Sequence, residues 1–259
     1  MDKNHFSILE AVRDAYLFVG REWLYLLKAG ALPVAVHIVA ALFIQFERPD
    51  ASLIEGYLWS LPAATLFAWF VFVEMRLLLL GERITQLPQT HDDRRDRQHA
   101  MKLSVITALL FNMVTAALMA LLVTAANPEQ WGINMPLTVG GLLAIGALFW
   151  GLRFGIVPIL AAVQYPIRPV LRQVLSGSME NVMFSFRLLG MGLVCLFPVA
   201  IMFQVLITLF VHQGDTPATQ LNAMQQLIMI IATAPLSLLI SALLNAAAAH
   251  ALKQMLGPQ

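Results

Sequence analysis

Apolar and polar positions along this chain fall into long blocks. Six apolar stretches run at about 24–45, 53–80, 101–126, 136–163, 188–212 and 223–251. A helix of about 20 apolar residues crosses the hydrocarbon core of a bilayer, so each stretch predicts one membrane span. Two other segments have a helical rather than a uniform pattern. In 5–23, Phe6, Leu9, Val12, Tyr16, Val19 and Trp23 recur at spacings of three and four, and Ser7, Glu10, Arg13, Asp14 and Arg21 fall mainly between them. In 164–187, Leu171, Val174, Leu175, Val182 and Phe186 do the same. Both segments predict amphipathic helices, lying at the membrane interface or packed on the bundle. The expected fold is an all-α integral membrane protein with one membrane domain over 1–259. It has six transmembrane helices, arranged as three hairpins, and two cytoplasmic interfacial amphipathic helices.

Composition agrees. Hydrophobic residues make up 59% of the chain and charged residues 12%, against about a quarter charged in soluble domains. Mean hydropathy is +0.75. Six spans and their connections use up the 259 residues, leaving no room for a separate aqueous catalytic domain. The single cysteine, Cys195, lies in an apolar run, which excludes an intramolecular disulfide and fits packing. Acidic residues through the first 23 positions argue against a cleavable signal.

Charge orients the spans. Of the 16 Lys and Arg residues, all but Arg48 and Arg153 lie at or near one set of alternate connections. Basic residues near span ends stay on the cytoplasmic side. The expectation is a multi-pass protein with both termini, the 81–101 loop and 164–187 cytoplasmic. The tight connections near 46–52, 127–135 and 213–222 face the other side.

Charged residues inside spans are costly and face protein interiors, which makes them the candidates for chemistry. Arg153 lies about 15 Å, at helical rise, from the cytoplasmic end of its stretch. Glu74 and Arg76 sit in the second span and Lys28 in the first. Glu74 is a candidate partner for Arg153 or Lys28. Together these residues outline an anion or lipid-headgroup site in the cytoplasmic half of the bundle. The plainer reading, which we prefer, is a structural ion pair with Lys28 and Arg76 snorkelling. His37, Asn112, Gln204 and Asn245 are candidates for hydrogen bonds between helices. His37 also suits a proton relay, but no carboxylate lies nearby in sequence.

His91, Asp92, Asp93 and His99 are metal-ligand types, but interleaved arginines oppose a cation there, and a solvated loop is expected. No metal and no cofactor is expected. Gly151 and Gly155 form a GxxxG in the fourth span, and Gly190 and Gly192 open the fifth, which points to close helix packing within one chain or between two. Phosphate-binding loops, HExxH and nucleophile elbows are absent from the sequence, and nothing in it favours nucleic acid. A short internal repeat pairs Leu32-Pro33-Val34-Ala35-Val36 with Phe197-Pro198-Val199-Ala200-Ile201.

One stretch carries a resemblance. LRFGIVPILAAVQYPIRPVLRQVLSGSMENVMFSFRLLGMGL places Arg153 and Pro158 in a span, then Ser176, Gly177 and Ser178 in a small-residue turn, then Arg187 entering the next span. With the amphipathic opening FSILEAVRDAYLFVGREWLYLL, this resembles the YciC-like bacterial inner-membrane proteins. It is also similar to the six-helix membrane domain that precedes some glycerophosphodiester phosphodiesterases. The resemblance implies a six-helix inner-membrane fold and transfers no catalytic residue. The expected function is therefore non-enzymatic: a scaffold, accessory or membrane-organising protein. Its expected partners are membrane lipids and either another membrane protein or a second copy. The alternative is a small transporter or lipid-handling protein using the Arg153 and Glu74 region.

Overall fold

The computed structural model describes residues 6–49, 53–83, 91–125, 155–163, 179–210 and 223–256. Among these, all regular structure is helical: α1 (Ile8–Glu47), α2 (Leu53–Leu80), α3 (His91–Ala125), α4 (Ile156–Ala162), α5 (Met179–Phe210) and α6 (Ala223–Leu256).

The first amphipathic segment and the first span are one rod. α1 runs unbroken for 40 residues, about 60 Å at 1.5 Å per residue and twice the thickness of a bilayer's hydrocarbon core. It starts where Ser7 caps it: the hydroxyl accepts from the Glu10 backbone N–H at 3.4 Å. No helix-breaking pair separates residues 23 and 24, so nothing stops the helix between its polar and apolar halves. Ala11, Val12 and Ala15 are buried in the bundle core, so this half packs on the bundle instead of lying separately at the interface. Part of the second amphipathic segment is described, and it too continues into a span, with 179–187 forming the start of α5. Residues 164–178 lie outside the described residues.

α1 and α6 are antiparallel and joined at both ends. The Ser7 backbone N–H donates to Gln254 Oε1 at 2.8 Å, and Gln45 Nε2 donates to Gln226 Oε1 at 3.4 Å. The start of α1 and the end of α6 therefore meet at the same end of the bundle. α2 packs against α1, α3 and α6, α4 against α3 and α2, and α5 against α6 and α1.

Among the described residues, four helices are long and apolar enough to cross a membrane: Ile8–Glu47, Glu55–Leu80, Ser185–Val205 and Ala223–Gln254. The chain thus fits an all-helical membrane protein. Its packing has the same character. The fully enclosed positions are largely small, among them Ala11, Ala15, Ala161, Ala246, Ala247 and Ala251, whereas Val39, Leu193 and Phe197 are about two-thirds exposed at 66%, 64% and 66%. Water would drive the larger side chains inward, but lipid tails do not, so small residues take the interior and let the backbones approach. Pro33, Pro62, Pro198 and Pro235 lie inside α1, α2, α5 and α6, a placement membrane helices tolerate because neighbouring groups satisfy the freed carbonyl.

Two expectations change. The stretch from His91 to His99, expected as a solvated loop, is the exposed first part of α3. It contains no Gly or Pro, and Asp92 and Asp93 in its first turn complement the helix dipole. The two copies of the repeat also pack differently. Pro33 is buried and Pro198 is exposed, so the matching sequences turn different faces to the core. Of the expected third span, 101–125 is helical within α3; of the fourth, only 155–163 is described.

Candidate functional site

Two of the candidate charges, Glu74 and Arg76, lie in the last third of α2. This helix is enclosed on several sides: Phe70, Phe72, Val73 and Met75 are all at most 2% exposed. Any polar residue in that stretch is forced into the protein, and Glu74 and Arg76 both are.

Arg76 is held by the end of its own helix. Gly81 adopts a left-handed conformation (φ 69°) and its N–H donates to the Leu77 carbonyl at 3.0 Å, ending α2 with a left-handed cap. The Glu82 N–H then donates to the Arg76 carbonyl at 3.2 Å. The reversal carries the Glu82 carboxylate back to the guanidinium, where Oε2 accepts from Nε at 2.9 Å and from Nη2 at 2.6 Å. Nη1 donates to the Ala162 carbonyl at 3.0 Å, and the guanidinium lies 5.6 Å from the centre of the Phe72 ring. Ala162 is the last residue of α4, so Arg76 satisfies one of that helix's terminal carbonyls with a cation. Ser104, fully buried on α3, donates to the Pro158 carbonyl of α4 at 3.1 Å. Together these side chains fasten α4 between α2 and α3.

Arg83 works on the other side of the same turn. It pairs with Glu22 of α1 at 2.9 Å, lies 5.5 Å from the Tyr25 ring centre, and its carbonyl accepts from Arg97 of α3 at 3.4 Å.

Glu74 is arranged differently. It is fully enclosed, and Oε2 accepts one long bond, 3.4 Å, from Asn245 Nδ2 on α6; the same amide donates to Ser241 Oγ at 3.1 Å. Oε1 is buried with no hydrogen-bond partner. Enclosing an isolated carboxylate costs several kcal/mol even after the surroundings relax. One hydrogen bond to a charged group contributes only about 1.5–3 kcal/mol in good geometry, and 3.4 Å is long. The site is electrostatically incomplete for an ionised Glu74.

Among the described residues, two of the four candidates, Arg76 and Lys28, do not pair with Glu74. Arg76 is engaged by Glu82 and Ala162, and Lys28 is exposed. Arg153 lies outside the described residues. Of the four candidates for hydrogen bonds between helices, Asn245 makes one, His37 meets the edge of Phe67 at 5.9 Å between ring centres, and Gln204 is exposed. Among the described residues, no group of three metal-ligand side chains comes together, and Asp92, Asp93 and His99 are exposed.

The tightest glycine contact is one the sequence analysis missed. A methyl group at Gly30 would overlap the Leu238 side chain of α6. At Gly190 and Gly192 the nearest atoms, from Ile8 and Leu244, would lie 3.5 and 3.9 Å from it, an ordinary contact. Gly155 begins α4, and Gly151 lies outside the described residues. The overlooked signal is the buried series Leu26, Gly30, Pro33, at spacings of four and three on one face of α1. Glu82 also had a signal, since a glycine directly after a long apolar run marks a helix end that turns the next residue back. Cys195 is buried, and its carbonyl accepts from the Tyr16 hydroxyl at 2.8 Å, joining α1 to α5. No protein-family model, curated protein or solved structure matches this chain significantly.

Proposed function

We propose that this chain is a non-enzymatic, six-span protein of the bacterial inner membrane, with both termini cytoplasmic and a scaffold or accessory role. The observation that carries the reading is the engagement of Arg76. Its guanidinium is shared between the Glu82 carboxylate and the Ala162 carbonyl, so this buried cation fastens helices together instead of facing a ligand. Arg83 does the same between α2 and α1. The large apolar side chains on the outside of α1 and α5, such as Leu17, Val39, Leu193 and Phe197, suit lipid tails or a partner helix. The resemblance of the 152–193 stretch to YciC-like proteins supports the six-span topology and the inner-membrane location.

The test is purification of the full-length protein in mild detergent, with identification of co-eluting proteins, alongside flux assays in proteoliposomes. The expected result is a reproducible membrane-protein partner, or a defined homo-oligomer, with no catalysed flux. A monomer without partners that moves an anion or a lipid across the bilayer would overturn the proposal in favour of the transport reading.

A further inference from the structure

Glu74 is a buried carboxyl group that the scaffold reading does not use. Three observations define it. The residue is fully buried. One carboxyl oxygen has no hydrogen-bond partner, and the other has a single long bond from Asn245. The ion pairs of the described residues, Arg13–Asp14, Arg76–Glu82 and Arg83–Glu22, do not include it.

Among the described residues, the surrounding helices supply no balancing charge. On α2 itself, Arg76 is turned to Glu82 and Ala162. On α1, Arg21 and Lys28 are exposed and Glu22 is held by Arg83. On α3, Lys102 is exposed and Arg97 donates to the Arg83 carbonyl. α4 has no titratable residue. α6 presents the neutral Asn245 and Ser241, with His250 and Lys253 more than one turn further along the helix.

A lone ionised carboxylate in such a setting is penalised by desolvation, whereas the neutral acid is not. We infer that Glu74, with Asn245 and Ser241, forms a proton-binding site inside the bundle at the contact between α2 and α6. The proton sits on the unpartnered Oε1, and Asn245 Nδ2 donates to the carbonyl oxygen, Oε2. Losing the proton puts an uncompensated charge between two helices whose other contacts there are apolar. Proton release therefore loosens the contact of α2 with α6. This inference goes beyond the scaffold reading and does not depend on it.

Infrared spectroscopy of the full-length protein in lipid nanodiscs tests it directly. The wild type is expected to show the carbonyl stretch of a neutral carboxylic acid at neutral pH. The band should move on ¹³C-glutamate labelling and be lost in Glu74→Gln. Asn245→Leu should move it to higher frequency by removing the donor, which keeps the test decisive if Glu74→Gln does not fold. Thermal stability of the wild type should fall as the pH rises above about 4.3, where a glutamate of the unfolded chain ionises, until Glu74 itself releases its proton, and that part of the fall should be absent in Glu74→Gln. A glutamic-acid band that is missing from the wild type and appears only in Arg153→Gln would overturn the inference, since Arg153 would then be the counter-ion. Stabilisation by sodium at fixed pH, with no acid band, would also overturn it, because the ligand would be a metal cation and not a proton.

Discussion

Arg76→Met removes a buried cation while keeping an unbranched apolar stem of similar reach, so it isolates the polar role of the guanidinium. Besides the contact with the Phe72 ring, two polar interactions are lost. The bond from Nη1 to the Ala162 carbonyl is buried, and a hydrogen bond involving a charged group contributes about 1.5–3 kcal/mol. The pair with Glu82 is half open to solvent, since the Glu82 side chain is 38% exposed, and exposed pairs contribute about 0–1 kcal/mol. The expected destabilisation is about 2–4 kcal/mol, most of it from the α4 carbonyl. Glu82→Gln, which removes only the charge of the partner, should cost about 0.5 kcal/mol. Arg76→Lys should fall between the two, because an ammonium cannot reproduce the planar fork that engages Glu82 and Ala162 together. Reversible unfolding of the full-length protein in mixed micelles, followed by helical circular dichroism, measures all three. If Glu82→Gln costs as much as Arg76→Met, the surface pair and not the α4 carbonyl carries the energy, and the reasoning fails. It fails equally if Arg76→Met unfolds within about 0.5 kcal/mol of the wild type, the range of an ordinary surface substitution.

Three other substitutions probe separate contacts by the same unfolding assay. Gly30→Ala should cost about 1 kcal/mol, the low end of overpacking because the atoms it meets are the flexible end of Leu238; Leu238→Ala in the same chain should cancel most of that increment, and strict additivity would refute the contact. Gly81→Ala should cost about 1–2 kcal/mol for the left-handed backbone, and a neutral result would mean that the turn relaxes freely. Tyr16→Phe should cost about 0.6 kcal/mol, typical of a hydrogen bond between membrane helices, and the same in a Cys195→Ala background, which keeps the accepting carbonyl; a cost that vanishes in that background would point to packing against the thiol instead.

Much of the fold was legible along the chain, and the reason differs by element. Uniform apolar runs predict membrane helices because the bilayer leaves the backbone no other hydrogen-bonding partner, and among the described residues four helices are long and apolar enough to cross one. The amphipathic pattern of 5–23 predicted a helix correctly, but periodicity alone does not say whether its apolar face meets lipid or protein. Ala11 and Ala15 packed in the core decide for protein. The segment from His91 to His99 was misjudged because charge was taken as a sign of loop, although an acidic first turn and the lack of Gly or Pro favour a helix.

At the candidate site the residue types were legible and their pairing was not. The sequence alone determined that Glu74 and Arg76 are charged groups within an apolar run, and so must be enclosed, neutralised or carried to an interface. Two residues apart on a helix, they point to different sides, and what lies on each side depends on helices far away in sequence. Only the tertiary structure decided that Arg76 meets Glu82 and the end of α4, and that Glu74 meets Asn245 with one oxygen left over. The physical reason is that hydropathy is a property of segments, summed along the chain, whereas electrostatic compensation depends on a few ångströms between atoms that the chain brings together only when its helices pack.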